Sequence, residues 1–161
     1  MNKGKNRWVI VLQNISITRE EIELLLEQLK RALIDAVILP SAGDKLKIDV
    51  EGCESKEAFS VRINRSRIKE NKYEICGIVE KHNIPLLELH INPTNVHPNP
   101  DGSKVKGSHW HVYSEEYGRR VAFPAENIES ENFVQHTIQF LDRFNVIETP
   151  DIKLNSNQKL F

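Results

Sequence analysis

The chain has 161 residues, 39% of them hydrophobic and 28% charged, which is enough for one ordinary domain built on one core. Its formal net charge is −1. That value excludes a globally basic nucleic-acid binder, so any contact with RNA or DNA has to be confined to one face.

Trp8 to Leu12 is the longest strongly apolar run and reads as a short first strand or an apolar lead-in. It is far shorter than the ~20 residues of a membrane span. The basic Asn2-Lys3-Gly4-Lys5 lacks the apolar region and cleavage site of a signal peptide. The expected location is cytoplasmic, with no membrane contact. Thr18-Arg19-Glu20-Glu21 has the form of a capping box, and Ile22, Leu25, Leu26, Leu29, Leu33 and Ala36 follow at helical spacing. This predicts a helix from about Arg19 to about Asp35, ended by Val37-Ile38-Leu39 and Pro40. The two cysteines, Cys53 and Cys76, are too few and too far apart for a disulfide framework or a zinc ribbon, and read as reduced thiols.

After the turn residues Ser41-Ala42-Gly43-Asp44 come period-two segments. Leu46, Ile48 and Val50 form the first; Phe59, Val61 and Ile63 the second; Tyr73, Ile75 and Val79 the third; Leu87, Leu89 and Ile91 the fourth. Pro93 to Gly107 is a long loop rich in turn residues. Ser108 to Ser114 is a fifth strand and Arg119 to Phe123 a sixth. Ser130 is the expected N-cap of a last helix, with Phe133, Thr137, Phe140, Leu141 and Phe144 on its inner face and Asn145 as its stop. The expected fold is α+β: one domain over 1–150, a twisted antiparallel sheet of five to six strands, both helices on one face, and a polar, frayed tail over 151–161.

The same alternation places a site. If Leu89, Ile91, Trp110 and Val112 face the core, then Glu88, His90, His109, His111 and Tyr113 face the other way. His97 sits in the loop between the two strands. Two histidines at i and i+2 on a strand stand roughly 7 Å apart and can converge on one ion or one phosphate. Neutral imidazoles suit zinc, nickel, copper or iron, so a transition metal would take His109, His111 and His90 or His97, with Glu115 as a carboxylate. Without a metal, which is the favoured form, a histidine pair can act as general base and general acid on RNA. In that use His90, His109, His111, Tyr113 and Arg62 are the catalytic candidates, and Arg65, Arg67, Arg119 and Arg120 the phosphate contacts. The bland alternative is a set of solvated or loop-bonded histidines.

Asn99-Pro100-Asp101-Gly102, Gly107, His109, His111, Tyr113, Glu116-Tyr117-Gly118 and Ala122-Phe123-Pro124 resemble an uncharacterised family of small bacterial and prophage-borne proteins. The likeness covers about the last half of the chain. The Asp-Gly hairpin followed by paired histidines is also similar to small toxins of bacterial toxin–antitoxin pairs, which act on RNA. The resemblance implies a role in defence, counter-defence or a toxin–antitoxin pair, with RNA as substrate or a partner protein such as an antitoxin or a defence component. The alternative is a non-enzymatic protein-binding module, and a further one is a histidine-liganded metalloprotein.

Overall fold

The structure is a computed structural model that describes residues 17–126, 128 and 132–155. The expected strand at Trp8 to Leu12 and the expected cap Ser130 lie outside the described residues. Two helices are described: α1 (Arg19–Glu27) and α2 (Phe133–Arg143). The strands are β1 (Lys30–Ala32), β2 (Ala36–Ile38), β3 (Lys45–Gly52), β4 (Ala58–Arg65), β5 (Tyr73–Val79), β6 (Ile84–Ile91), β7 (His97–Pro98), β8 (Lys104–Val105), β9 (His109–Val112), β10 (Ala122–Pro124), β11 (Val146–Glu148) and β12 (Asp151–Lys153). Thr18 caps α1 by accepting the Glu21 N–H, and Asn132 caps α2 by accepting the Gln135 N–H.

The helix predicted to reach Asp35 ends at Glu27, and the chain turns into β1 and β2. Long-range pairing overrides the local period here. Lys30, Arg31 and Ala32 pair antiparallel with Gly52, Glu51 and Val50, while Lys30 and Arg31 pair parallel with Val146 and Glu148. Leu29 and Leu33, which carried the helical repeat onward, are left exposed at 53% and 55%.

Among the described residues the main sheet has eight strands in the order β10-β9-β6-β5-β4-β3-β1-β11. It is mixed rather than wholly antiparallel, because β1 and β11 run parallel. The expected five to six strands missed the short β1 and β11. Two small sheets add to it: β12 pairs parallel with β2, and β7 pairs antiparallel with β8. The start of the stretch expected to be a frayed tail, Asp151–Lys153, is therefore held in register against Ala36–Ile38.

Directly paired residues share a sheet face. Register places Val50, Phe59, Val79, Ile63, Ile75, Leu89 and Trp110 on the face that carries the core. The aromatic residues of α2 and of its C-cap complete it: Phe133 stacks on Tyr73 at 4.0 Å, Phe140 on Trp110 at 6.0 Å, and the C-cap Phe144 meets Phe59 edge-on at 5.8 Å. Ile22 of α1 joins the same cluster.

Gly77, opposite Val61 and Leu87, lies against Phe144, the C-cap of α2. A Cβ there would lie 2.7–2.9 Å from three ring carbons of the fully buried Phe144. Gly77→Ala is expected to lower stability by about 1–3 kcal/mol through overpacking. The measurement is a urea transition with an earlier midpoint and an unchanged slope; a wild-type midpoint would show that the ring can yield.

Candidate metal centre

On the face away from the helices, two polar rows cross the strands. One runs Glu74, His90, His109, Pro124, and the next runs Cys76, Glu88, His111, Ala122. His109 and His111 are buried although they face away from the core, because the segment 93–107 folds over them. That segment, expected as a loop, carries the β7–β8 hairpin. Its turn is Asn99-Pro100-Asp101-Gly102. Gly102 adopts φ +89°, and the Asp101 carboxylate accepts the Ser103 N–H at 2.9 Å and its hydroxyl at 2.6 Å.

Asn99 fastens the hairpin to the sheet edge. Its Nδ2 donates to the Ala122 carbonyl at 3.0 Å, and its Oδ1 accepts the Ala122 N–H at 2.8 Å, so one side chain stands in for a paired strand. Val105, on β8 of the hairpin, is buried. This fixed cap brings His97 to the cluster. Ring centres lie 4.7 Å apart for His90–His111, 5.0 Å for His90–His109, 4.8 Å for His109–His111 and 4.8 Å for His97–His111. His97 stands 5.6 Å from His109.

Hydrogen bonds decide which nitrogens are bare. A carbonyl oxygen only accepts, so the ring nitrogen facing it carries the proton. His109 donates from Nδ1 to Gly107 O at 2.9 Å, His111 from Nδ1 to Val121 O at 3.1 Å, and His97 from Nε2 to Arg120 O at 2.7 Å. The opposite nitrogens, Nε2 of His109 and His111 and Nδ1 of His97, are left as lone pairs. Burial pushes the pKa of His109 down, reinforced by the neighbouring His90 and His97 and opposed by Gly107 O. Burial also pushes His111 down to about 4, with His90, His109 and His97 adding to the shift. Both rings are therefore neutral near pH 7.

His90, His109 and His111 offer one ligand atom each, and these atoms lie within 4.8 Å of one another. In a tetrahedral zinc site such nitrogens are about 3.3 Å apart, so each ring needs to move inward by only ~0.8 Å. In His109 and His111 the donor nitrogen is oriented by a hydrogen bond from the other ring nitrogen, which is the pattern of metal-ligating histidine.

A family model matches this region and most of the chain, residues 17–146. The chain belongs to a family of unknown function, DUF6978. Neither the curated proteins nor the solved structures contained a match. The family supplies no activity.

Several residues expected at the cluster are elsewhere. Tyr113 was expected beside His109 and His111. Instead β9 ends at Val112, the Tyr113 N–H bonds Leu86 O at a bulge in β6, and its side chain lines a groove with Arg19, Ile22 and Leu26. Glu115, the expected carboxylate ligand, accepts the Arg19 backbone N–H at the start of α1. Arg62 shares the polar face but stands on β4, two strands from β6 and so about 10 Å away, with Glu80 at 3.5 Å. Arg65 donates to Glu70 O and Pro40 O and covers the Phe133 ring, and Arg67 packs beside Gly43. These two do not converge with Arg119 and Arg120 as a phosphate site. Arg120 lies over Tyr117.

Arg119 does reach the cluster, as the partner of Glu88. This carboxylate is buried at 3% exposure. Burial alone would raise its pKa, but the hydrogen bonds from His90 and Arg119 and the charge of Arg119 outweigh it and hold the group down at about 2. The alternation that located His90 also located Glu88 at i−2; its arginine partner, 31 residues away, carried no local signal. Beside Glu88, burial and the Glu88 charge push Cys76 up to about 12, which leaves it an unreactive thiol.

Proposed function

We propose that this chain is a metal-binding domain whose site takes one divalent first-row transition ion, zinc foremost, on His90, His109 and His111. His97 of the capping hairpin supplies the fourth nitrogen. The observation that carries this reading is the convergence of one ring nitrogen each from His90, His109 and His111, with the other ring nitrogens of His109 and His111 committed to backbone carbonyls. Lone pairs that face each other in a buried space repel unless an electrophile lies between them. A bound ion would also tie the β7–β8 hairpin to the sheet, since His97 and the other three ligands belong to different segments.

Metal-free RNA cleavage fits the same residues less well. General acid catalysis needs a protonated imidazole near neutrality, and burial holds His109 and His111 neutral. Tyr113 and Arg62, which would assist, are not beside them. The likeness to toxin–antitoxin proteins supports the nuclease reading only through the hairpin and its histidines, and both serve a metal centre equally.

The test is elemental analysis of protein purified without a polyhistidine tag, followed by titration of the chelator-treated protein with zinc. One equivalent of tightly held zinc per chain is expected. Absence of uptake across zinc, cobalt, nickel and copper would refute the proposal.

A further inference from the structure

Three of the four rings owe their orientation to a backbone carbonyl, and His90 does not. Each of its nitrogens faces a carboxylate instead. Nε2 lies 3.4 Å from Glu88 Oε1, and Nδ1 lies 3.8 Å from Glu74 Oε1. The two carboxylates are not equivalent. Glu88 is 3% exposed and is gripped by Arg119 at two points, Nε to Oε2 at 2.9 Å and Nη2 to Oε1 at 2.5 Å. That bidentate geometry fixes where Oε1 sits. The Glu74 side chain is 51% exposed, and an exposed, single-point pair of this kind holds little.

We propose that Arg119 and Glu88 are the positioning residues of the metal centre: Glu88 accepts the Nε2–H of His90, and His90 thereby presents Nδ1 to the ion. The inference rests on the metal-centre reading above and extends it to a pair that touches no ion. It also gives Arg119 a task other than holding phosphate. Its guanidinium is engaged with Glu88, and its role is to stop the carboxylate from turning away from His90. All four imidazoles would then share one feature, a hydrogen-bond acceptor behind each ring, and the ion would enter beside Glu74, whose Oε1 stands 3.8 Å from Nδ1 of His90.

The experiment uses the full chain and cobalt(II), whose visible absorption reports tetrahedral nitrogen ligation. Wild-type protein is titrated beside Glu88→Gln, Arg119→Lys and Glu74→Gln. Glu88→Gln is expected to weaken cobalt by ~10–100-fold, as loss of an outer-sphere partner does. Arg119→Lys, which keeps the charge but not the fork, should give a smaller loss. Glu74→Gln should change affinity less than about twofold. Nitrogen-15 spectra of metal-free wild-type protein give a second readout that no variant's folding can disturb. They should show the His90 proton on Nε2 and a bare Nδ1. A His90 proton on Nδ1 overturns the proposal, as does equal cobalt affinity in wild type and Glu88→Gln; either leaves the metal centre standing. Failure of the wild type to bind cobalt overturns both.

Discussion

Protein carrying His109→Ala and His111→Ala together should bind no zinc at concentrations that saturate the wild type. Removing an outer-sphere partner already costs ~10–100-fold in affinity, and this pair removes two of the three ligand atoms that lie within 4.8 Å of one another. The loss should therefore exceed about 10³-fold. Thermal unfolding provides an independent reading, because an ion that binds only the folded chain stabilises it by mass action. At a hundredfold excess over Kd the gain is about 2.7 kcal/mol, which for a domain of this size raises Tm by roughly 5–10 °C. Wild type should show that rise on adding zinc and lose it with chelator. The double variant should show neither, and its metal-free Tm should fall by roughly 4–8 °C, since each alanine removes one hydrogen bond to a carbonyl worth ~1 kcal/mol. A zinc-dependent Tm shift that survives in the double variant would move the ion elsewhere in the molecule.

The reason this site was legible in the sequence is geometric. His90 lies between Leu89 and Ile91, and His109 and His111 flank Trp110, so two-residue alternation alone put all three opposite the core. The β6–β9 register then seats His90 across from His109 and Glu88 across from His111. The same rule failed at Tyr113, one residue past the end of β9, where the Leu86 bulge interrupts the alternation. His97 was visible only as a loop residue near two strands; what aims it is the Asn99 clamp on Ala122, a contact spanning 23 residues. Local patterns report which way a side chain points from its own strand. They say nothing of which distant partner holds it, and Arg119 with Glu88 is of that second kind.

Lys30 belongs to that second kind as well, and its substitution should be strongly destabilising. The helical repeat read through Leu29 and Leu33 gives no sign of it. In the fold it is fully buried at 0% exposure. Its Nζ donates to Leu26 O at 3.1 Å, Gln28 O at 2.9 Å and Phe144 O at 2.9 Å. Three donors thus meet three carbonyls at the C-terminal ends of both helices, where the backbone carries partial negative charge. The ammonium also lies 4.4 Å from the Phe144 ring centre and 5.0 Å from that of Phe59. Lys30→Met preserves the length of the side chain but abandons the carbonyls. The Asn145 side chain still serves Leu26 O, which leaves two carbonyls without this donor and an expected loss of about 2–4 kcal/mol at pH 7.

The pH dependence separates this cost from simple packing. Burial lowers the Lys30 pKa from 10.5 to about 8, with Cys53 acting in the opposite direction. Below pH 8 the folded and unfolded chains both hold the proton, and this group adds no slope. Between about 8 and 10.5 the unfolded chain binds more protons than the folded one, so stability rises with pH. At 1.36 kcal/mol per unit the full rise is roughly 3 kcal/mol. Urea unfolding at pH 7 and pH 10 should therefore show the gap between wild type and Lys30→Met widening at the higher pH, after the titrations common to both proteins cancel. A gap that narrows on raising the pH would mean that the ammonium, not the amine, is the form the folded core prefers.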